Sequence, residues 1–370
     1  MSRREGQAAN NVLGLGAVIK YIGSKRLLIE HLVTAIGAFD GVNRVLDLFS
    51  GTSRVGHALK KAGFEVFAND HLSYASTIAR CYVEADRDVV LADVEEGLRR
   101  LSSVTPKAGY FTETFCEKAR YFQPKNGARI DAMREEIDRM DPPPVLRAVL
   151  LTSLMEAADR VDSTTGVQMA YLKQWSKRSN KDLELRVPDM LPGPGHAMQL
   201  DAGEAAQAVD VDLVYLDPPY NQHSYMGNYH IWETLVRWDA PEAYGIAQKR
   251  LECRSYKSPF NSKKRIHDAL RSTFAAIRSP YFVVSFNNEG HVSQQEMEEI
   301  LTPYGELRVV AVDFPRYVGA RIGIYNPSGD KVGRVTHTRN KELIYLVSTL
   351  PGQLDQVTDA INAACPPPMS

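Results

Sequence analysis

The stretch VDLVYLDPPYNQHSY (residues 211–225) begins with apolar and β-branched residues and then changes to a carboxylate, two prolines and a tyrosine. Its first half predicts a buried strand, which the prolines end because proline lacks the N–H that sheet pairing needs. Asp217 and Tyr220 are then held on a stiff turn at the carboxyl end of that strand. Ligands of open α/β sheets bind at this edge, so the stretch predicts both a fold class and the position of a site.

Strands and helices alternate on both sides of this turn. Upstream, VNRVLDLF (42–49) and FEVFAND (64–70) predict strands, and each leads into a helical pattern. This β-α-β-α order indicates a parallel sheet with right-handed crossovers. Downstream, YFVVSF (281–286) and ELRVVAVDF (306–314) predict further strands, and ELIYLV (342–347) predicts an antiparallel partner of the strand before it.

The alternation is interrupted between residues 107 and 192, where the pattern is helical with polar loops. We therefore predict an α/β, Rossmann-like core that carries an inserted helical domain. The first half of the core spans residues 18–106, the insertion 107–192 and the second half of the core 193–349, and residues 350–370 are predicted to form a peripheral tail.

The composition is typical of a soluble globular protein, with 44% hydrophobic and 24% charged residues over 370 residues and a net charge of -1. The four cysteines are scattered and include no C-x-x-C pair, which argues against a zinc site or disulfide framework and fits a reducing cytosol. The polar start MSRREGQAANN lacks the apolar segment of a signal peptide, and no run approaches the roughly 18 apolar residues of a membrane helix. We expect a cytoplasmic protein with no bound metal and no membrane partner.

Two other strand ends carry residues suited to a nucleoside ligand. DLFSGTSRVG (47–56) turns from a strand into a helix, and Gly51 would let a ligand approach the free N–H groups of that helix. Because the match to G-x-G-x-x-G is imperfect, this turn alone is equally well an ordinary connection. Asp70 ends the second strand, where a carboxylate can accept hydrogen bonds from ribose hydroxyls.

The DPPY turn (residues 217–220) suits chemistry on the exocyclic amine of a nucleobase. Such an amine is a poor nucleophile because its lone pair is delocalised into the ring. The Asp217 carboxylate and the Pro218 carbonyl are candidates to accept hydrogen bonds from the two N–H groups of the amine, which would free the lone pair. The rigid proline would fix the direction of its carbonyl. Tyr220 is a candidate to stack on the base, which is worth about 1–3 kcal/mol.

Basic segments lie before and after the DPPY turn and suit phosphate contacts. A charge run is commonly a solvated surface, but beside a pocket for a nucleobase we interpret these cations as a nucleic-acid-binding face, which the resemblance described below implies is for DNA. Asn221, directly after the turn, is a candidate on the rim of that pocket. The other candidates for DNA contact are Lys173, Lys177, Arg178, Arg186, Lys263, Lys264 and Arg265.

These features together resemble the Dam-like (D12 class) N6-adenine DNA methyltransferases. Four stretches carry the resemblance in that family's order: KYIGSK (20–25), DLFSGTSRVG (47–56), VFAND (66–70) and LDPPY (216–220). The resemblance implies an S-adenosylmethionine-dependent methyltransferase sheet whose two halves bind the cofactor and catalyse, and whose insertion recognises the target. It also implies methyl transfer to adenine N6 in duplex DNA by base flipping, in restriction–modification or phage defence, with a cognate restriction endonuclease as a candidate partner.

The family's functional residues can be carried over position by position. The resemblance implies cofactor contacts from Tyr21, Lys25, Asp47, Phe49, Gly51, Asp70, Asp201 and Asp217. It implies that the target base meets Asp217, Pro218, Pro219 and Tyr220, and that Lys20 lies close to DNA. The chain departs from the family at SGTSRVG, where Thr52 replaces a small residue of the usual Gly-rich run.

Other functions stay open at this stage. RNA or cytosine N4 presents an equivalent amine to the same turn, and a DNA-binding protein of this fold need not be catalytic. Loss of Asp217 or Tyr220 would have favoured the non-catalytic alternative, but both are intact. A nicotinamide-dependent dehydrogenase would leave the DPPY turn unexplained, and the recognised DNA sequence is not predicted.

Overall fold

The computed structural model describes residues 19–23, 25–287, 290–315, 324–325, 331–333 and 339–365. The polar N-terminal stretch, predicted not to be a signal peptide, lies outside the described residues. In this part of the chain, no helix is long and apolar enough to cross a membrane. Nor do the same residues group three His, Cys, Asp or Glu side chains where they could hold a metal ion.

A seven-stranded sheet forms the centre of the fold. In spatial order its strands are β3 (His196–Met198), β2 (Glu65–Asn69), β1 (Arg44–Asp47), β4 (Leu213–Leu216), β7 (Tyr281–Asn287), β11 (Arg339–Ser348) and β8 (Glu306–Pro315). The first five run parallel, whereas β11 is antiparallel to both of its neighbours. Two short antiparallel pairs are β5 (Ala243–Tyr244) with β6 (Lys249–Arg250) and β9 (Ile324–Tyr325) with β10 (Lys331–Gly333). The mostly parallel sheet and the antiparallel pairing of ELIYLV confirm the predicted fold class.

Helices cover both faces of the sheet. In chain order they are α1 (Ile29–Gly37), α2 (Arg54–Lys61), α3 (Ser73–Ala79), α4 (Arg87–Ser103), α5 (Tyr110–Thr112), α6 (Pro124–Met140), α7 (Pro144–Arg160), α8 (Ala202–Ala208), α9 (Tyr225–Asn228), α10 (His230–Arg237), α11 (Ile266–Ala276), α12 (Gln294–Leu301) and α13 (Leu354–Ala364). Successive side chains of a strand enter opposite cores: Leu213 packs with the core of α1 and α2, and Val214 with that of α8 and α11. Both faces of β4 are therefore buried, which explains its unbroken apolar sequence.

The segment predicted as an insertion contains helices only between Tyr110 and Arg160, whereas residues 161–192 are mostly loop with one short 3-10 helix (Lys177–Asn180). The segment shares a core with its neighbours. Buried side chains of α6 and α7 cluster with Tyr74 of α3 and Trp232 of α10. The helix α4, which precedes residue 107, packs on α7 so closely that a Cβ built on Gly97 would lie 2.9 Å from Leu150 Cδ2. The boundary at residue 107 stays a prediction, since α4, which precedes it, packs on α7, which follows it.

The prediction of a peripheral tail from residue 350 needs correction at one point, because the helix in this tail buries an apolar stripe in the core. Leu354, Val357 and Ile361 of α13 are buried in one cluster with Leu32 and Ile36 of α1. Their i, i+3, i+7 spacing makes an apolar stripe that the helix must cover. The C-terminal helix is therefore part of the support of the sheet.

Candidate active site

A cleft lies at the carboxyl edge of the sheet, between β1 and β4, where the strand order changes direction. It encloses about 910 Å³, its open mouth included. All eight predicted cofactor contacts line it, namely Tyr21, Lys25, Asp47, Phe49, Gly51, Asp70, Asp201 and Asp217. Pro219 also lines the cleft, and the buried Pro218 and the partly buried Tyr220 complete the same turn.

Asp217 follows β4 directly and carries the charge of the DPPY turn. Its Oδ1 lies 3.0 Å from Lys25 Nζ, and its side chain is 22% exposed. Burial raises the pKa of Asp217 to about 6, although the Lys25 ammonium works in the opposite direction. Asp217 is therefore a stronger base than an ordinary carboxylate while still ionised at neutral pH.

Lys25 joins Asp217 to a second buried carboxylate, Glu342. Lys25 Nζ lies 3.1 Å from Glu342 Oε2, and Asn287 Nδ2 donates to Glu342 Oε1 at 2.9 Å. Burial disfavours the ammonium, but Asp217 and Glu342 outweigh it and hold the pKa of Lys25 above its usual value. Sequence analysis missed Glu342, whose only signal is an acid at the start of an otherwise apolar strand.

Asp47, at the end of β1, presents an unsatisfied oxygen in the cleft wall. Its Oδ2 accepts a hydrogen bond from Gly56 N at 3.1 Å, whereas its buried Oδ1 has no partner. Burial and the nearby Asp217 charge raise the pKa of Asp47 to about 8. A buried carboxylate oxygen without a partner suits a cationic group of a ligand, because that group would remove the cost of leaving it unpaired.

Asp70 fixes two loops at the cleft, since its oxygens accept from Gly51 N at 3.1 Å and from Leu72 N at 3.0 Å. Burial raises the pKa of Asp70. Gly51 has a φ of 52°, and a Cβ built there would lie 3.3 Å from the Tyr21 ring. Glycine is therefore needed both for the backbone conformation and for the close approach of Tyr21.

Tyr21 fastens the N-terminal stretch to the first helices after the DPPY turn. Its ring stacks against those of both Tyr225 and Tyr229, with centroid distances of 5.2 and 4.6 Å. Ile22 N also donates to Tyr229 Oη at 2.6 Å. Tyr21 and Tyr225 thus form one aromatic wall of the cleft, which joins the N-terminal stretch to the helix after the DPPY turn.

The sequence analysis missed one wall of the cleft. This wall consists of Tyr256, Ser258, Pro259 and Phe260, and it adjoins His71, whose Nε2 lies 2.5 Å from Tyr256 Oη. The rings of Phe49 and Phe260 pack edge to face, with their centroids 5.2 Å apart. These residues belong to the basic segment after the DPPY turn, which sequence analysis interpreted only as a DNA-binding face. The aromatic residues among its cations were the signal that could have revealed this wall.

Two of the predicted DNA contacts form ion pairs within the protein. Lys20 Nζ lies 2.9 Å from Asp159 Oδ2 and 3.1 Å from Asp162 Oδ1, and Arg178 Nη2 lies 2.5 Å from the same Asp162 oxygen. The side chain of Asp162 is only 4% exposed, so it needs these cations to offset its desolvation. Lys20 and Arg178 therefore hold the loop after α7, and their contact with DNA stays a prediction.

The other predicted DNA contacts lie at the surface. Asn221 is half-buried, and its carbonyl accepts a hydrogen bond from Asn261 Nδ2 at 2.8 Å. The exposed cations are Lys173, Lys177, Arg186, Lys263, Lys264 and Arg265. Their contact with DNA stays a prediction.

Comparison with known proteins supplies the family. The model of the D12 class N6 adenine-specific DNA methyltransferase family matches residues 21–300, which is more than half of the chain. The chain belongs to the D12 class of N6 adenine-specific DNA methyltransferases. This confirms the family resemblance carried by the four sequence stretches.

Relatives of this D12-class chain are modification enzymes. The Type II methyltransferase M.NlaIII of Neisseria lactamica is 30% identical over 89% of this chain and 98% of its own length. Modification methylase StsI of Streptococcus sanguinis and Type II methyltransferase M.FokI of Planomicrobium okeanokoites are each 30% identical, over 77% and 78% of this chain. The chain spans about half the length of the last two, 46% and 47% respectively.

S-adenosylmethionine is the cofactor of this class, and the cleft residues fit its charges. The unpaired Oδ1 of Asp47 suits the ammonium of the methionine part. Asp70 and Asp201 line the same cleft and are candidates to accept hydrogen bonds from the ribose hydroxyls and the adenine amine. The carboxylates of this cleft therefore suit both ends of the molecule.

Proposed function

We propose that this chain transfers a methyl group from S-adenosylmethionine to adenine N6 at a specific site in double-stranded DNA. The observation that carries the proposal is the position of the DPPY turn. Asp217 lies in the wall of the same cleft that fits the cofactor. A base presented to that turn would thus meet the methyl donor directly, and no covalent enzyme intermediate is required.

The residues of the turn would prepare the nucleophile. Bound S-adenosylmethionine supplies an electrophilic methyl group on a sulfonium. The Asp217 carboxylate and the Pro218 carbonyl accept hydrogen bonds from the two N–H groups at N6 of adenine, so the nitrogen lone pair becomes available to attack the methyl group. Tyr220 stacks on the base, and Asp217, whose pKa is raised to about 6, is placed to receive the proton that N6 releases.

The raised pKa of Asp217 predicts a pH dependence. Because the acceptor must be ionised, the single-turnover rate should rise with pH and level off above about pH 6. The free energy of unfolding should instead fall as pH rises. A carboxyl whose pKa is raised on folding stabilises the folded state at low pH, and this contribution is lost as pH rises through about 6. Rates measured from pH 5 to pH 8 test this prediction, and a flat profile would contradict it.

The exposed cations predict the salt dependence of DNA binding. The double variant Lys263→Ala, Lys264→Ala should weaken binding at low salt and reduce the slope of log K against log salt by about 1–2. Lys107→Ala, another exposed lysine, serves as the control. If the slope is unchanged in the double variant, these lysines belong to the solvated surface.

A methyl-transfer assay tests the proposed function directly. Purified protein and radiolabelled S-adenosylmethionine are incubated with mixed-sequence duplex DNA, single-stranded DNA and total RNA, and the product nucleosides are identified. N6-methyladenine in duplex DNA is the expected product, and sequencing of that DNA maps the site. Label in RNA or on cytosine N4 would keep the turn chemistry but replace the substrate, and tight DNA binding without transfer would favour a non-catalytic role.

The biological setting is part of the proposal. The relatives carry the names of Type II and modification methyltransferases, which supports restriction–modification with a cognate endonuclease. Action on DNA also supports a cytoplasmic location. Fully methylated DNA should then resist cleavage by extracts of the source cells, whereas the same unmethylated DNA should be cut at the mapped site.

A further inference from the structure

A short hairpin carries an exposed apolar side chain at its tip. Strands β5 and β6 are joined by residues 245–248, and Ile246 in this loop is 79% exposed. This is the largest exposed fraction among the large apolar side chains that the structure describes. A single exposed isoleucine needs no explanation by itself, but its anchoring and its surroundings do.

The hairpin is preformed and firmly held. Arg250, at its base, is 1% exposed and forms a bidentate pair with Asp239 at 2.7 Å for both bonds. Gln248 donates to Gly245 O from its backbone N at 3.0 Å and from its side chain at 2.9 Å, which closes the loop. Ile246 is therefore presented in a fixed position, so its use in binding would cost little ordering entropy.

The base of the hairpin packs on the helix that follows the DPPY turn. A Cβ built on Gly227 of α9 would lie 3.9 Å from Lys249 Nζ, and Cys253 Sγ lies 3.9 Å from Met226 O. The same helix begins with Tyr225, which lines the cofactor cleft. Ile246 is three residues from Lys249, so the tip lies within about 11 Å of that position.

A second exposed apolar side chain lies on a neighbouring loop. Tyr121 Oη is 2.8 Å from Gln168 O and 3.1 Å from Ala247 O, so these two carbonyls are no more than about 6 Å apart. The residues next to them, Met169 and Ile246, are 48% and 79% exposed. Arg254, whose guanidinium lies 4.1 Å from the Tyr244 ring centroid, places a cation on strand β5 of the hairpin.

We propose that Ile246 is the wedge that enters the DNA base stack and stabilises the duplex after the target adenine has flipped out. A flipped base leaves a gap, and unstacking costs a few kcal/mol that apolar side chains inserted between base steps can offset. An anchored apolar tip, on a hairpin whose base contacts the helix after the DPPY turn and carries Arg254 over Tyr244, meets this need. The inference rests on the proposed function, because a wedge has a role only if the chain acts on a base inside a duplex.

The test compares Ile246→Ala with the wild type on two duplexes that carry the mapped site, one fully matched and one with the target adenine mispaired with cytosine. On the matched duplex we expect a loss of about 10-fold or more in single-turnover methylation, because the gap is no longer filled. On the mispaired duplex, where flipping is already easy, the variant should be within about 2-fold of the wild type. Ile246→Met should restore the rate on the matched duplex.

Val89→Ala is the matched control, because Val89 on α4 is 73% exposed and lies outside the hairpin. It should leave both rates unchanged. Thermal melting and S-adenosylmethionine affinity should be unchanged in every variant. Equal rates for wild type and Ile246→Ala on the matched duplex would overturn the wedge alone, whereas a wild type that methylates no DNA would overturn the proposed function itself.

Discussion

Replacing Asp217 with alanine will abolish methyl transfer while the protein stays folded and still binds its cofactor. The loss should be at least about 10³-fold in the single-turnover rate, as for removal of a preorganised group at the reacting atom. Folding should survive, because Lys25 keeps its second partner, Glu342, at 3.1 Å. The rate is measured with radiolabelled cofactor, and cofactor binding is measured by calorimetry.

Two further variants isolate the role of this carboxylate. Asp217→Asn keeps the shape of the side chain but loses its charge, so it should also be severely impaired if the carboxylate is the acceptor. Asp210→Ala removes an exposed acid just before the same strand and should have no effect. Turnover close to that of the wild type in Asp217→Ala would remove Asp217 from the mechanism.

Replacing Lys25 with methionine will lower the free energy of unfolding by about 3–5 kcal/mol, because two carboxylates then lie close together without a cation. The substitution keeps the side-chain volume similar, so the effect reports charge rather than packing. Asp217 should also hold its proton to higher pH, which would move the acid limb of the rate profile upward. Denaturant unfolding at pH 7 and rates from pH 5 to pH 9 measure both effects.

The double variant Lys25→Met, Glu342→Gln provides the internal check on charge. It removes the ammonium together with one carboxylate, so part of the lost stability should return. Lys341→Ala, an exposed lysine beside Glu342 on β11, is the control and should stay within about 0.5 kcal/mol of the wild type. A change below about 1 kcal/mol in Lys25→Met would mean that this buried pair does not contribute to stability.

The cofactor cleft was predictable because its signals are local. Asp47, Asp70 and Asp217 each end or follow a strand, and parallel strands bring their carboxyl ends to one edge without further information. The family resemblance added Tyr21 and Lys25, which precede the first strand and which no periodicity would have placed in the cleft. The structure brings all of these residues together.

The missed features depend on long-range packing. Lys20 and Arg178 look like surface cations in the sequence, because nothing local shows that the buried Asp162 engages both. The stripe of α13 was overlooked because the tail was treated as peripheral, although its apolar spacing was visible. Tyr256 and Phe260 reach the cleft only because the chain returns across it after the DPPY turn.

The pairing of Lys25 with Glu342 also bears on how the enzyme is made. The two residues are 317 positions apart, and Glu342 reaches the cleft only after β11 has inserted between β7 and β8. A growing polypeptide on the ribosome would thus carry the whole DPPY turn long before the buried ammonium had its full complement of counter-charges. A fragment that ends before residue 342 would lack most of β11 as well as the second carboxylate that pairs with Lys25.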